Sequence, residues 1–173
     1  MITFLFVYSA TADDLPKYDH DSFSGWSDTD HDCQNTRHEL LHKLSTAVIR
    51  LSQNTCWVLR GRWFDSYNGQ IFFDSRELEI DHLLTRKYNC YLRLYKWIRA
   101  KRVSFSNDPV NLFTVKKSVN CQKSADGPAE WLPPNVNFRC EYILRLKRVV
   151  RKYKLTQSAA ELQLIGHARQ QYC

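Results

Sequence analysis

The chain has 173 residues and a mass of 20.5 kDa, enough for one hydrophobic core, and its 43% of hydrophobic residues can fill that core. The formal net charge of +7 and the pI of about 9.2 make a polyanion a more natural partner than a bare sugar; the alternative is a basic surface that only keeps the protein in solution. No stretch approaches the roughly 18 apolar residues of a membrane span, so we expect no membrane partner. We expect one compact α+β domain.

The N-terminus resembles an export signal. Residues 1–12 form an apolar run that ends in the small pattern Ala10-Thr11-Ala12, which is typical of a secretory signal ending. The run lacks a basic segment, and an ordinary N-terminal strand is the alternative. We expect a signal-peptide remnant over residues 1–12 and a single domain over residues 13–173.

The cysteines also indicate export, because disulfides persist in oxidising compartments. None of the six belongs to a Cys-x-x-Cys pair, which argues against a structural zinc site of the usual spacing. Fifteen pairings are possible, and free thiols in a cytosolic protein are the alternative. We expect a secreted or periplasmic protein with the pairs Cys33 to Cys56, Cys140 to Cys173, and Cys90 to Cys121.

The first predicted elements are an acidic loop and a helix. Residues 13–32 are polar, and the spacing from Thr36 to Glu39 is that of a capping box, which predicts a helix from Arg37. The loop also offers a weak calcium pattern, in which Cys33 takes the position that normally requires glycine. The carboxylates of that pattern are those of Asp28, Asp30, Asp32 and Glu39.

Strands follow. Apolar runs over residues 48–51 and 57–59 predict a hairpin, and Asn68-Gly69 predicts the turn before a strand at residues 71–73. Residues 77–84 predict a strand that carries Asp81 and His82.

The second half alternates between helices and strands. Leu92, Tyr95 and Ile98 predict a helical excursion over residues 87–101, and residues 112–115 predict a short strand. Ser118 is expected to cap a helix that carries Asn120 and Lys123.

The C-terminal part predicts two further helices. Residues 138–153 predict a long amphipathic helix with a strongly basic face, and residues 157–170 predict a last one. That basic face is either a solvated face or a contact surface for phosphates.

Asp81, His82, Asn111 and Asn120 have the chemistry of a one-metal nuclease. A neutral imidazole at His82 can remove a proton from an attacking water. Asp81 and Asn120 offer hard oxygens to one Mg²⁺ or Mn²⁺. A surface Asp-His pair and a helix-capping Asn120 are the ordinary alternatives.

These residues resemble the HNH, or ββα-metal, nucleases. The resemblance covers most of residues 25–155 and is closest to the small secreted bacterial subgroup; it includes Asp81-His82, Asn111-Leu112, Asn120-x-x-Lys123, Gly61-Arg62-Trp63 and the segment from Pro128 to Pro133. The chain has Thr85-Arg86 where the subgroup has Pro-Leu.

The resemblance implies an α+β domain built around a ββα-metal core at about residues 70–135, with additional hairpins, flanking helices and disulfides. It also implies that Asn111 aims His82 by bonding to the backbone across the loop. It implies a non-specific endonuclease that hydrolyses DNA, with RNA as a second candidate.

We expect the substrate phosphates to contact basic side chains, and we expect a monomer. The candidates are Lys123, Arg86, Arg148 and Arg151. An inhibitor or immunity protein as partner is left open. Two other classes also stay open: a secreted nucleic-acid-binding protein without catalysis, and a calcium-stabilised, disulfide-rich interaction module.

Overall fold

The computed structural model describes residues 25–85, 94–127 and 130–173, apart from the side chain of Tyr95. The signal-like segment 1–12 lies outside these residues, as do Arg86, Cys90 and Leu92. The chain folds as a mixed α+β domain. No helix of the described residues is long and apolar enough to cross a membrane.

The first half forms a helix packed on a three-stranded antiparallel sheet. Helix α1 (Thr36–Leu44) precedes strands β1 (Arg50–Leu51), β2 (Val58–Asp65) and β3 (Gln70–Asp74), which lie in that order in the sheet. Gly69, at φ +74°, makes the turn between β2 and β3 as its Asn-Gly signal predicted, because a side chain there would be strained.

A second pair of strands and a short helix form the centre of the molecule. Strand β4 (Leu78–His82) pairs antiparallel with β5 (Leu112–Lys116), so that Asp81 lies opposite Phe113. Helix α3 (Lys117–Lys123) follows β5 directly and contacts both strands. The order strand, strand, helix matches the predicted arrangement; whether this unit holds a metal is a separate question.

Helix α2 (Arg99–Ser106) lies between these two strands in sequence, and α4 (Arg139–Tyr153) and α5 (Ala159–Tyr172) complete the domain. The main core joins β5, α2 and α4 around aromatic and aliphatic side chains. Its largest fully buried members are Tyr67, Phe105, Tyr142, Leu83, Leu84, Leu94 and Ile143.

Two of the three predicted disulfides are present. Cys33 bonds to Cys56 and Cys140 bonds to Cys173. The third pairing is wrong in this structure, because Cys121 carries an exposed free thiol on α3.

Three predictions of local structure are corrected. Asn35, not Thr36, caps α1: its side chain accepts from the N–H of His38, which leaves Thr36 as the first helical residue. The helical excursion begins at Arg99 rather than at residue 87, because Ile98 has an extended backbone and is 73% exposed. Ser118 lies inside α3 and does not cap it.

Candidate active site

The carboxylate of Asp81 lies at the centre of the site. Residues 79 and 81 share one face of β4, since alternate side chains of a strand point the same way. Asp81 is buried, and its Oδ2 accepts from the Tyr67 hydroxyl at 2.7 Å. The ammonium of Lys123 donates to Oδ1 at 2.9 Å and to Oδ2 at 2.7 Å. Three of the roughly four acceptor positions of the carboxylate are thereby used, which leaves one on Oδ1.

Lys123 is 0% exposed, and its third proton goes to the main-chain oxygen of His82 at 2.6 Å. An ammonium has three donors, and all three are donated here. The structure therefore places Lys123 as a positioning residue for Asp81 and the His82 backbone, not at the surface where a phosphate contact was expected.

His82 points to the opposite face of β4 and is held on two sides. Its Nε2 lies 2.8 Å from the main-chain oxygen of Ser106. A carbonyl oxygen only accepts, so Nε2 carries the proton and the neutral ring has its lone pair on Nδ1. The indole of Trp26 stacks on the imidazole, with ring centroids 5.4 Å apart and 3° between the planes. The orientation and tautomer of the ring are both defined.

Asn111 braces the chain that follows His82. It is fully buried, and its Oδ1 accepts from the N–H of Leu84 at 2.9 Å. Its main-chain oxygen accepts from the N–H of Leu83 at 2.8 Å. Both contacts join the start of β5 to the two residues after His82, which is the backbone contact that the resemblance implied.

Asn120 lies on α3, on the side that faces Glu79. Its amide nitrogen donates to Glu79 Oε2 at 2.8 Å. Because a carboxylate accepts and an amide nitrogen donates, this contact fixes the amide orientation and leaves Oδ1 as the atom that can serve as a ligand. Lys117 lies 3.9 Å from the other oxygen of Glu79.

The sequence interpretation missed four residues of this site. Glu79 was detectable, because an acidic residue two positions before Asp81 on a strand shares its face. Tyr67, Ser106 and Trp26 come from distant segments, and no local pattern linked them to Asp81 or His82.

The acidic loop forms a second cluster. Among the described residues, Asp28, Asp30 and Asp32 are the one group of His, Cys, Asp or Glu side chains whose ligand atoms all lie within 4.8 Å of each other. Cys33 adopts φ +74°, so it takes the backbone conformation that the calcium pattern assigns to glycine. Burial, and then the charges of the three aspartates, raise the pKa of Glu39. Calcium binding here stays a prediction.

The predicted phosphate contacts on the basic helix differ from its other cations. Arg148 and Arg151 are exposed on α4. Arg139 and Arg145 bond instead to main-chain oxygens of Pro133 and Val110, and so support the fold. Arg86 lies outside the described residues.

Comparisons with known proteins define the class. Residues 34–167 match the family of GmrSD restriction endonucleases, C-terminal domain. The chain is also 30% identical over 146 residues to an uncharacterized secreted protein of Arthroderma benhamiae, an alignment that covers 83% of this chain and 70% of that protein. No solved structure matches the chain.

The match over 134 consecutive residues places the chain in a nuclease family of the restriction-endonuclease type. It belongs to the GmrSD C-terminal domain family. The secreted character of the fungal relative and the two disulfides agree with each other and confirm the expectation of export. Because that relative is fungal, the expected bacterial subgroup is not confirmed.

Proposed function

We propose that this chain is a metal-dependent endonuclease that hydrolyses phosphodiester bonds in DNA, with RNA as a second candidate substrate. The observation that carries the proposal is the state of His82 in a chain of a nuclease family: its proton sits on Nε2, which leaves Nδ1 as the basic nitrogen. A general base requires a basic nitrogen held in one orientation, and Trp26 and Ser106 supply the hold.

His82 Nδ1 takes a proton from the water that attacks phosphorus. The imidazolium that results keeps its Nε2–H bond to the Ser106 oxygen, which becomes a charge-assisted bond. The stacked Trp26 ring adds a favourable contact for a cation. Asn111 holds the following backbone so that the imidazole keeps its place.

The oxygens on β4 and α3 fit a hard divalent cation. Asp81 Oδ1 keeps one acceptor position, Asn120 Oδ1 is the free amide atom, and the Glu79 carboxylate lies next to Asn120. Mg²⁺ in proteins takes one or two such oxygens and completes its shell with waters and substrate oxygens. A bound Mg²⁺ or Mn²⁺ would stabilise the charge on the phosphoryl group and on the leaving oxygen. Lys123 would orient Asp81 for this role.

Nicking of supercoiled plasmid tests the proposal. The wild-type chain should nick DNA with Mg²⁺ or Mn²⁺ and not with EDTA. His82→Ala should lower the rate by roughly 10²- to 10⁴-fold, the usual contribution of a general base. His42→Ala, at an exposed histidine of α1, is the matched control and should cut normally. Retarded DNA without nicking would favour a binding protein instead, and neither effect would favour an interaction module.

A second variant tests the ligand assignment. Asn120→Ala should raise the Mg²⁺ concentration needed for half-maximal nicking, because it removes one oxygen ligand. Cys121→Ala changes the exposed neighbour on the same helix and should leave the metal titration unchanged. An Asn120→Ala chain with the wild-type titration would show that the residue is not a ligand.

A further inference from the structure

A large groove opens beside the candidate active site. It has a volume of about 1070 Å³ and lies between the segment at residues 27–29, the first turns of α2, the turn at residues 107–109 and the end of α4. The residues that line this basic groove and carry charge are Arg99, Lys101, Lys152, Lys154 and Asp108.

The groove is electropositive. Four cations line it against one carboxylate, and that carboxylate is already compensated: Asp108 Oδ2 is 2.6 Å from the Lys152 ammonium and accepts from the Tyr153 hydroxyl at 2.6 Å. Burial acts to raise the pKa of Asp108, but the hydrogen bonds from Lys152 and Tyr153 outweigh burial and bring it below the ordinary value. Asp108 therefore stays ionised and paired, and the remaining charge of the groove is positive.

The start of α2 adds to this potential. Arg99 and Ala100, its first two residues, line the groove. The helix has no side-chain hydrogen bond at its N-cap, Ile98, and no acidic residue in its first turn. Its first main-chain N–H groups therefore contribute the partial positive charge of a helix N-terminus next to Arg99 and Lys101.

The inner edge of the groove borders His82. Ser27 and Asn107 line the groove and bond to each other, N–H to Oδ1, at 2.9 Å. Their chain neighbours are Trp26, which stacks on His82, and Ser106, whose oxygen holds Nε2. A polyanion in the groove therefore lies one residue away, on two sides, from the groups that hold the candidate base.

We propose that the basic groove binds the phosphodiester backbone of duplex DNA and leads it to His82. This inference rests on the proposed nuclease function and names the surface that holds its substrate. Contacts to phosphates position a duplex without reading its sequence, in agreement with a non-specific enzyme. Arg99, Lys101 and Lys154 make these contacts, with Lys152 held by Asp108 as the floor of the groove.

The test is the salt dependence of duplex binding, measured by fluorescence anisotropy in the His82→Ala background with EDTA. The groove variant combines Arg99→Gln, Lys101→Gln and Lys154→Gln. Its matched control removes three exposed cations that do not line the groove: Lys43→Gln, Arg50→Gln and Arg169→Gln. A charge-conserving variant, with Arg99→Lys, Lys101→Arg and Lys154→Arg, separates charge from folding.

The groove variant should bind on the order of tenfold or more weakly, and the slope of log K against log[salt] should fall by about 0.9 for each lost contact. The control and the charge-conserving variant should bind as the parent does. The same groove substitutions with His82 intact should raise KM for nicking and leave kcat near the wild-type value. A groove variant with the affinity and salt slope of the control would overturn the inference. If the wild-type chain does not nick DNA, the proposed function fails, while the binding comparison still decides the groove.

Discussion

At the scale of single residues, Lys123 has the largest consequence. Its side chain is 0% exposed and its ammonium bonds to Asp81 and to the His82 main chain, so one residue of α3 holds both neighbours on β4. Removing one member of a buried ion pair is costly because the other charge remains buried without compensation.

Lys123→Met should lower the free energy of unfolding by about 3–5 kcal/mol, the cost of leaving Asp81 as an unpaired buried charge. The double variant with Asp81→Asn should regain much of that loss. Lys117→Met, whose side chain is 66% exposed, should change little. Urea denaturation followed by tryptophan fluorescence measures all three, and a Lys123→Met chain as stable as Lys117→Met would refute the buried pair.

At the scale of elements, α5 depends on its covalent link. Ile165 is its one buried residue among the described part of the chain, and Leu162 and Leu164 are exposed. The helix is joined to α4 by the disulfide from Cys140 to Cys173 and by the bond from Arg139 to the Tyr172 hydroxyl at 2.7 Å. A helix with so little buried apolar surface gains little from packing.

Replacing both cysteines, Cys140→Ser with Cys173→Ser, should lower the free energy of unfolding by about 2–4 kcal/mol, since the bond closes a loop with a sequence separation of 33. The amides of α5 should lose protection from hydrogen exchange before those of β4 and β5. Cys121→Ser removes a free thiol and serves as the control. Unchanged protection of α5 in the double variant would show that packing alone holds the helix.

At the scale of the whole molecule, unfolding is coupled to proton uptake at His38. Its Nδ1 accepts from the N–H of Val58 at 3.1 Å, across the contact between α1 and the sheet. Burial, and then the charge of Arg37, lower the pKa of His38 below its ordinary value of 6.5. The folded domain therefore binds this proton less readily than the unfolded chain does.

The stabilisation linked to His38 should be complete above pH 6.5 and should be lost as the pH falls through the lowered pKa of the folded state. Urea midpoints should therefore decrease from about pH 7.5 to pH 5 in the wild-type chain. In His38→Asn, which keeps an acceptor near the position of Nδ1 and does not titrate, the decrease should be smaller. His42→Asn, at an exposed position, should follow the wild type. Parallel profiles for wild type and His38→Asn would contradict this coupling.

Much of the site could be placed from local patterns. Asp81 and His82 lie on a strand, Asn111 precedes the partner strand, and Asn120 lies on the helix that follows it, as the residue spacing and the resemblance predicted. The capping of α1 by Asn35 and the late start of α2 were wrong, because adjacent polar residues compete for the same cap and a loose apolar spacing does not define a helix boundary.

The sequence by itself determined the class: the charge, the cysteines and the ordered polar residues around Asp81 already indicated an exported nuclease. Only the tertiary structure decided which side chains meet. Lys123 is a buried partner of Asp81, Ser106 sets the tautomer of His82, and the cations of α2 and α4 share one groove. Periodicity along a chain encodes which face a residue occupies, whereas the partner on that face comes from a segment tens of residues away, which only packing brings close.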